Sequence, residues 1–284
     1  MNYVKTTLLL VLLAALFIWV GGLIGGRDGM ITAFIFAMII NFASYWFSDK
    51  LVLAMYGAKK LDESTSPEIY EIVKELAKKD NIPVPRVYLA PIDVPNAFAT
   101  GRNPKNGVVC VTRGIVNSLN REELKGVIAH EMSHIKHRDT LIMTVVAAIA
   151  SAIMMLANMA RWAAIFGGSR DDRNRSGGVL GLIVVTIVAP LAAMLIQLAI
   201  SRSREYSADE SGAKLSGSAN GLAAALRKLD QAASRYQFNA APQTAHLFIV
   251  NPIRGNFMAD LFRTHPSTDR RIERLREITK EALL

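Results

Sequence analysis

The chain has 284 residues, 51% hydrophobic and 20% charged, with a formal net charge of +9. Disordered chains combine low hydrophobicity with high net charge, and ordinary soluble domains carry about 25% charged residues, so the composition excludes the first class and argues against the second. A single cysteine, Cys110, excludes an internal disulfide framework and any cysteine-based zinc cluster, and fits a reducing compartment for the polar part.

The missing charge is concentrated. Residues 6–26, 29–48, 140–160 and 176–201 contain no Asp, Glu, Lys or Arg, and an apolar helix of about 20 residues crosses a hydrocarbon core of roughly 30 Å. The first two runs are separated only by Gly25-Gly26-Arg27-Asp28-Gly29 and end near Tyr45 and Trp46, residue types that favour the membrane–water interface. Residues 1–48 therefore read as a transmembrane hairpin. A cleaved signal peptide is the competing reading of the first run, and the immediate return through a second span argues against it. Lys50, Lys59 and Lys60 follow the second span, whereas Arg27 is the basic residue of the intervening turn. This asymmetry puts both termini and the polar parts on the cytoplasmic side.

Residues 49–139 form the first polar part. Ser66-Pro67-Glu68 predicts a helix start with a capping serine and a proline in the first turn, running to about Lys79 with Ile69, Ile72, Val73 and Leu76 on one face. Strands are predicted at 86–90, 96–100 and 108–112, the last two joined by the turn Asn103-Pro104-Lys105-Asn106-Gly107. A further helix begins near Asn120. Residues 140–201 read as a second apolar hairpin, with Pro190 kinking its second arm. Core helices are the alternative, and the arginines of the 161–175 loop fit an outside location poorly, so whether this pair crosses the bilayer stays open. Residues 202–284 form the second polar part, with amphipathic helices over 219–236 and 266–283, the latter presenting Ile272, Leu275 and Ile278 on one face. The excess charge is spread as +2 over 49–139, +4 over 202–284 and +3 over the remainder. That spread suits an anionic membrane surface rather than nucleic acid.

The chemistry sits in His130-Glu131-Met132-Ser133-His134. Residues four apart share a helix face, so both imidazoles can reach one ion, with Glu131 near a water on it, the arrangement of zinc peptidases. A catalytic zinc takes three protein ligands and one water. His137 shares the face of His130 but lies seven residues on, about 10 Å along the axis. Thr140 occupies the position where an extended motif would carry a third histidine. A carboxylate remains, and Glu205 is the best candidate. If 140–201 is an antiparallel hairpin, His134 and Glu205 emerge at the same end, each about 8–10 Å past the apolar boundary. Its bland alternative is a partner for Arg202. Asp209, one turn on, can accept the free N–H of a ligand histidine, or pair with Arg204 or Lys214. Glu131 would act as general base on a zinc-activated water. His265 is a candidate second donor to the reacting carbonyl, or a helix-start residue before Pro266. Arg270 and Arg271 bind substrate or lie on a solvated face, and His246 is structural or incidental. The strand bearing Asn96, Ala97, Phe98 and Ala99 can be an exposed edge that pairs with an extended substrate, or an ordinary hairpin strand.

Taken together, the apolar pair at the N-terminus, Asn-Ala-Phe-Ala-Thr-Gly at 96–101, His-Glu-x-x-His at 130–134, the second apolar pair, Glu-x-x-x-Asp at 205–209 and His-Pro-Ser-Thr at 265–268 resemble the HtpX family of membrane-bound zinc endopeptidases. The resemblance implies an α-helical membrane protein with an α+β, gluzincin-like zinc-metallopeptidase domain facing the cytoplasm. It implies one Zn2+ per chain held by His130, His134 and Glu205, in a multi-pass protein of the plasma (inner) membrane. It further implies stress-response quality control on damaged or misfolded membrane proteins, self-cleavage and a homo-oligomer. Prenyl-protein endopeptidases share the zinc motifs but have more spans than this length permits. Two alternatives are a non-proteolytic membrane protein using the zinc as a structural clamp or sensor, and a soluble zinc enzyme whose apolar runs are core. Glu131 argues against the clamp, since a closed structural site needs no base.

Overall fold

The computed structural model describes residues 2–143, 202–235, 249 and 266–281. The expected second apolar hairpin beyond residue 143, His246 and His265 lie outside them. Helix α1 covers Asn2–Met55 and reverses at Gly26, whose φ of +57° is open to glycine at no Cβ cost. The reversal follows from contacts between its arms. The rings of Phe17 and Phe36 meet edge-on at 5.8 Å, and Asn41 Nδ2 donates to the Leu10 carbonyl at 3.2 Å. On a straight helix those two rings would stand about 28 Å apart. The arm Gly26–Phe47 is long and apolar enough to cross a membrane, and it leaves Ile35, Ile39 and Phe42 exposed.

The remainder is built on a four-stranded sheet in the order β1-β2-β4-β3. It comprises β1 (Lys59–Lys60), β2 (Arg86–Ala90), β3 (Ala97–Thr100) and β4 (Val108–Thr112). β2 runs parallel to β4, with Arg86 opposite Val108 and Ala90 opposite Thr112. β1 and β3 are antiparallel to their neighbours, Ala97 facing Val111 and Thr100 facing Val108. The period-2 alternation of a strand explains why β4 is apolar without a break: both of its faces are covered. Val108 and Cys110, with Phe98 of β3, pack against Val52, Leu53 and Tyr56 at the end of α1. Val109 and Val111, with Ala97 and Ala99, pack against the helices on the other side. Each fully buried valine contributes roughly 1.5–3 kcal/mol. Burial also pushes the Cys110 thiol up to about 12, so it stays protonated and inert.

Helix α2 (Pro67–Asp80) buries Ile69, Ile72, Val73, Leu76 and Ala77 as its spacing requires. Ser66 does not cap it with its hydroxyl, contrary to the sequence expectation; only its carbonyl joins the helix, accepting from Tyr70 N–H. The 103–107 turn is a short 3-10 turn over Pro104–Asn106, capped by the Asn103 side chain. The short α3 (Arg113–Ser118), capped by Thr112 Oγ1, and strand β1 have no counterpart in the sequence reading. Helix α4 (Arg121–His137) starts in a full capping box, in which Asn120 accepts from Glu123 N–H and the Glu123 carboxylate accepts from Asn120 N–H. Helices α5 (Arg202–Ser216), α6 (Ala219–Arg235) and α7 (Thr268–Glu281) complete the described chain, with α5 and α6 against α4 and α7 against both.

Candidate metal centre

Helix α4 lies between α5 and β3, and its buried face carries His130, Glu131 and His134. Gly212 of α5 permits the contact: a Cβ there would stand 2.8 Å from the His130 backbone nitrogen. This close approach brings Glu205, two turns earlier on α5, onto the two imidazoles. His134 Nε2 lies 3.2 Å from His130 Nε2 and 3.5 Å from Glu205 Oε1, and His130 Nε2 lies 3.8 Å from Glu205 Oε2. A tetrahedral zinc with bonds near 2.0–2.1 Å sets its ligand atoms about 3.3–3.4 Å apart, so the spacing of these three groups fits such an ion.

The surroundings fix which nitrogens face inward. His130 Nδ1 sits 3.0 Å from Asp209 Oδ1, and His134 Nδ1 sits 3.2 Å from Asp139 Oδ2. With both Nδ1 atoms turned to carboxylates, the Nε2 atoms confront each other beside Glu205. Burial works against a charge on His134, but the Asp139 hydrogen bond and the carboxylates of Glu205 and Glu131 outweigh it and raise its pKa to about 9. Loading a metal would release a proton held there. Four buried carboxylates, Glu131, Asp139, Glu205 and Asp209, and two guanidiniums, Arg204 and Arg271, surround the imidazole pair. Glu131 is 5% exposed; burial holds its carboxyl above the ordinary glutamate range, opposed by the two imidazoles. Its carboxylate accepts the backbone N–H of Ala99 in β3.

The structure brings His130, Glu131, His134, Glu205 and Asp209 together and leaves His137 exposed, away from them. It corrects the sequence reading of Arg271. That side chain is neither on a solvated face nor open to substrate: it is 1% exposed, and its Nε and Nη2 donate to the two oxygens of Asp209 at 2.8 and 2.7 Å, while Nη1 donates to the Ile249 carbonyl. Burial disfavours its charge, but Asp209, Glu205 and Glu131 more than compensate and keep it ionised. Asp209 thus pairs with Arg271 rather than Arg204 or Lys214, and Lys214 binds Glu210. Arg270 is exposed. Strand β3 is the sheet edge, but it is not an exposed one: Asn96, Ala97, Phe98 and Ala99 are all within 3% exposure, backbone included. Its contact with the site is the Ala99 N–H given to Glu131, and Asn96 Oδ1 accepts from Ile249 N–H.

Asp139, and the role of Arg271, escape the sequence reading. Asp139 is positioned by Arg138, which takes a left-handed φ of 61° and ends α4 so that the next residue folds back under His134. No glycine or proline announces this break. Arg271 carried a usable signal, because it lies four and seven residues before Leu275 and Ile278 on the apolar stripe of α7.

A buried glutamate beside a His-His-Glu grouping that could hold a metal is the equipment of a metal-dependent hydrolase. The chain belongs to peptidase family M48, whose family model matches residues 63–279, and within it to the HtpX proteases. It is 54% identical over 277 residues to the protease HtpX homolog of Syntrophobacter fumaroxidans, covering 96% of this chain and 98% of that one. It is 55% identical over 281 residues to the homolog of Pyrococcus furiosus, covering 98% and 96%. Among solved structures it shares the fold of Ste24p from S. mikatae, with a TM-score of 0.51 at 18% identity, covering 96% of this chain and 65% of that one. The enzyme is accordingly a metallopeptidase.

Proposed function

We propose that the protein is a membrane-integral, zinc-dependent endopeptidase with a gluzincin-like site held by His130, His134 and Glu205, one Zn2+ per chain. The observation that carries this is the meeting of two Nε2 atoms and one carboxylate at the spacing of a zinc tetrahedron, with Glu131 alongside. When bound, the metal supplies a Lewis acid that polarises the peptide carbonyl and acidifies water. Glu131, with its pKa raised by burial, takes the proton of the attacking water and delivers it to the leaving amine. Asp209 and Asp139 hold the two imidazoles with Nε2 inward. The backbone edge at Asn96–Ala99 receives an extended segment of polypeptide by strand addition, which sets the scissile bond over Glu131. His265 contributes a second donor to the reacting carbonyl, and Arg270 stands at the surface where substrate passes.

In this proposal residues 1–48 form a transmembrane hairpin, 49–139 and 202–284 the two parts of the peptidase domain, and 140–201 a second hairpin. The peptidase domain faces the cytoplasm from a multi-pass plasma-membrane location, its substrates are damaged or misfolded membrane proteins, and the chain forms homo-oligomers and cleaves itself. Support comes from the Gly26–Phe47 arm and the position of residue 140 directly after the metal-holding helix. The test is caseinolysis by the purified full chain with zinc. Glu131→Gln should lower the rate by about 10²–10⁴ while the metal stays bound. Full activity in that variant would end the peptidase mechanism, and loss of the metal along with activity would move Glu131 into the ligand set.

A further inference from the structure

At the foot of α1, away from the metal centre, a cavity of about 520 Å³ opens between the end of the apolar arm and the sheet. One wall is aromatic, with Phe42, Tyr45, Trp46 and Phe47 at the end of the apolar arm of α1. The other is basic and polar, with Arg86 at the start of β2 and Arg102 and Asn106 in the β3–β4 connection. Asp49 and Lys50 close it from the turn of α1 that follows. Three cations thus face one carboxylate, and that carboxylate is already taken: Arg86 Nη2 binds Asp49 Oδ2 at 2.7 Å. Lys50 and Arg102 have no carboxylate partner among the described residues. Instead each is held over a ring, Lys50 Nζ 5.4 Å from the centre of Phe47 and the Arg102 guanidinium 4.3 Å from that of Trp46. A guanidinium stacked on an indole keeps its N–H edge free to donate.

We propose that this cavity binds the phosphate headgroup of an anionic phospholipid. The charge calls for an anion, and the stacked Arg102 and nearby Lys50 offer the fork and point charge that phosphate takes. The aromatic wall places the site at the depth of the headgroups, where Trp and Tyr reside. The ligand also needs an apolar continuation, and α1 has one. Ile35, Ile39, Phe42 and Trp46, spaced four, three and four apart, form one exposed stripe leading out of the cavity along the apolar arm, and an acyl chain lies on it. A soluble phosphate would leave that stripe without use. The assignment rests on α1 being inserted in a bilayer, as the proposed function has it.

The test uses the full chain with Trp19→Phe and Trp162→Phe, which leaves Trp46 as the only tryptophan, reconstituted into phosphatidylcholine vesicles. A minor fraction of either phosphatidylglycerol or phosphatidylcholine carrying brominated acyl chains is added as quencher. Brominated phosphatidylglycerol should quench Trp46 more than the brominated neutral lipid, the local enrichment being about fivefold for each basic residue that engages the headgroup. The excess should vanish in Lys50→Gln/Arg102→Gln and return when Arg102→Lys replaces Arg102→Gln. Comparing two quenchers within one variant cancels any change in Trp46 emission caused by the substitution itself. Equal quenching by both lipids, or an excess that survives the double substitution, overturns the proposal. An excess abolished by free inorganic phosphate assigns the cavity to a soluble phosphate and overturns the lipid assignment. Quenching by the neutral lipid reports insertion alone, so its absence, with the protein separating from floated vesicles, identifies a failure of the membrane reading instead.

Discussion

The two imidazoles of the metal centre are braced by the same kind of partner, built in two different ways. His130 leans on Asp209, which sits within regular helix α5 and is clamped by Nε and Nη2 of Arg271 at 2.8 and 2.7 Å, all three residues being within 2% exposure. His134 leans on Asp139, which follows the left-handed Arg138 and has Arg204 at 3.7 Å, too far for a hydrogen bond. Arg204 keeps 15% of its side chain exposed, and its two terminal nitrogens have no hydrogen-bond partner among the described residues. In the first brace Asp209 is therefore locked by a forked ion pair that joins α5 to α7, with His130 Nδ1 3.0 Å from it but not satisfied by a hydrogen bond. The second is a local device at the end of α4 that leaves its arginine loosely held. An imidazole–carboxylate pair orients a ligand in both cases, but only the forked arginine makes the brace part of the fold.

This contrast can be broken most forcefully at the arginines. Arg271→Met leaves Asp209 buried without its partner and should destabilise the protein by about 3–5 kcal/mol in denaturant unfolding. Arg204→Met should cost about 1 kcal/mol or less, because the pair is partly solvated and lacks a hydrogen bond. Equal losses would show that the two braces do not differ in kind. The helix packing comes next. Gly212→Ala pushes a methyl group to within 2.8 Å of the His130 backbone and should cost about 1–3 kcal/mol. It separates Glu205 and Asp209 from α4 but leaves His134 and Asp139 in place, so the metal should bind more weakly while residues 130–139 keep their amide-exchange protection. Loss of protection there would mean that the α5 contact supports the second brace too. The finest comparison is between the aspartates. Asp209→Asn and Asp139→Asn should each weaken zinc binding by about 10–100-fold in chelator competition, with Asp209 at the upper end. The reverse order would make the loosely held brace the dominant one.

Much of the site is legible from local rules. The four-residue spacing of His130 and His134 needs only a helix, and the helix is secured by the Asn120–Glu123 capping box and an apolar periodicity. Strands β2 and β4 announce themselves through valine-rich runs between turn residues, and α2 through its Pro67 start and four-residue stripe. Glu205 could be reached from sequence only by supposing where two helices emerge. The geometry that brings it to the histidines depends on a glycine contact 82 positions away from His130 along the chain, Gly212 against the His130 nitrogen, which no local pattern encodes. Arg271 was obscured by its neighbour Arg270: the two look alike in sequence, but a helix turns them about 100° apart, and one is exposed while the other is buried. Asp139 depends on a backbone reversal at an arginine, a residue type with no preference for that conformation. Ser66 shows the opposite failure, a residue with the right chemistry whose hydroxyl is not used.

The sheet has the end of α1 packed on one face and α4 on the other. Phe98 points to the end of α1, and Ala99, its immediate neighbour, gives its N–H to Glu131. One peptide unit of β3 therefore carries both the contact with α1 and the contact with the Glu131 carboxylate.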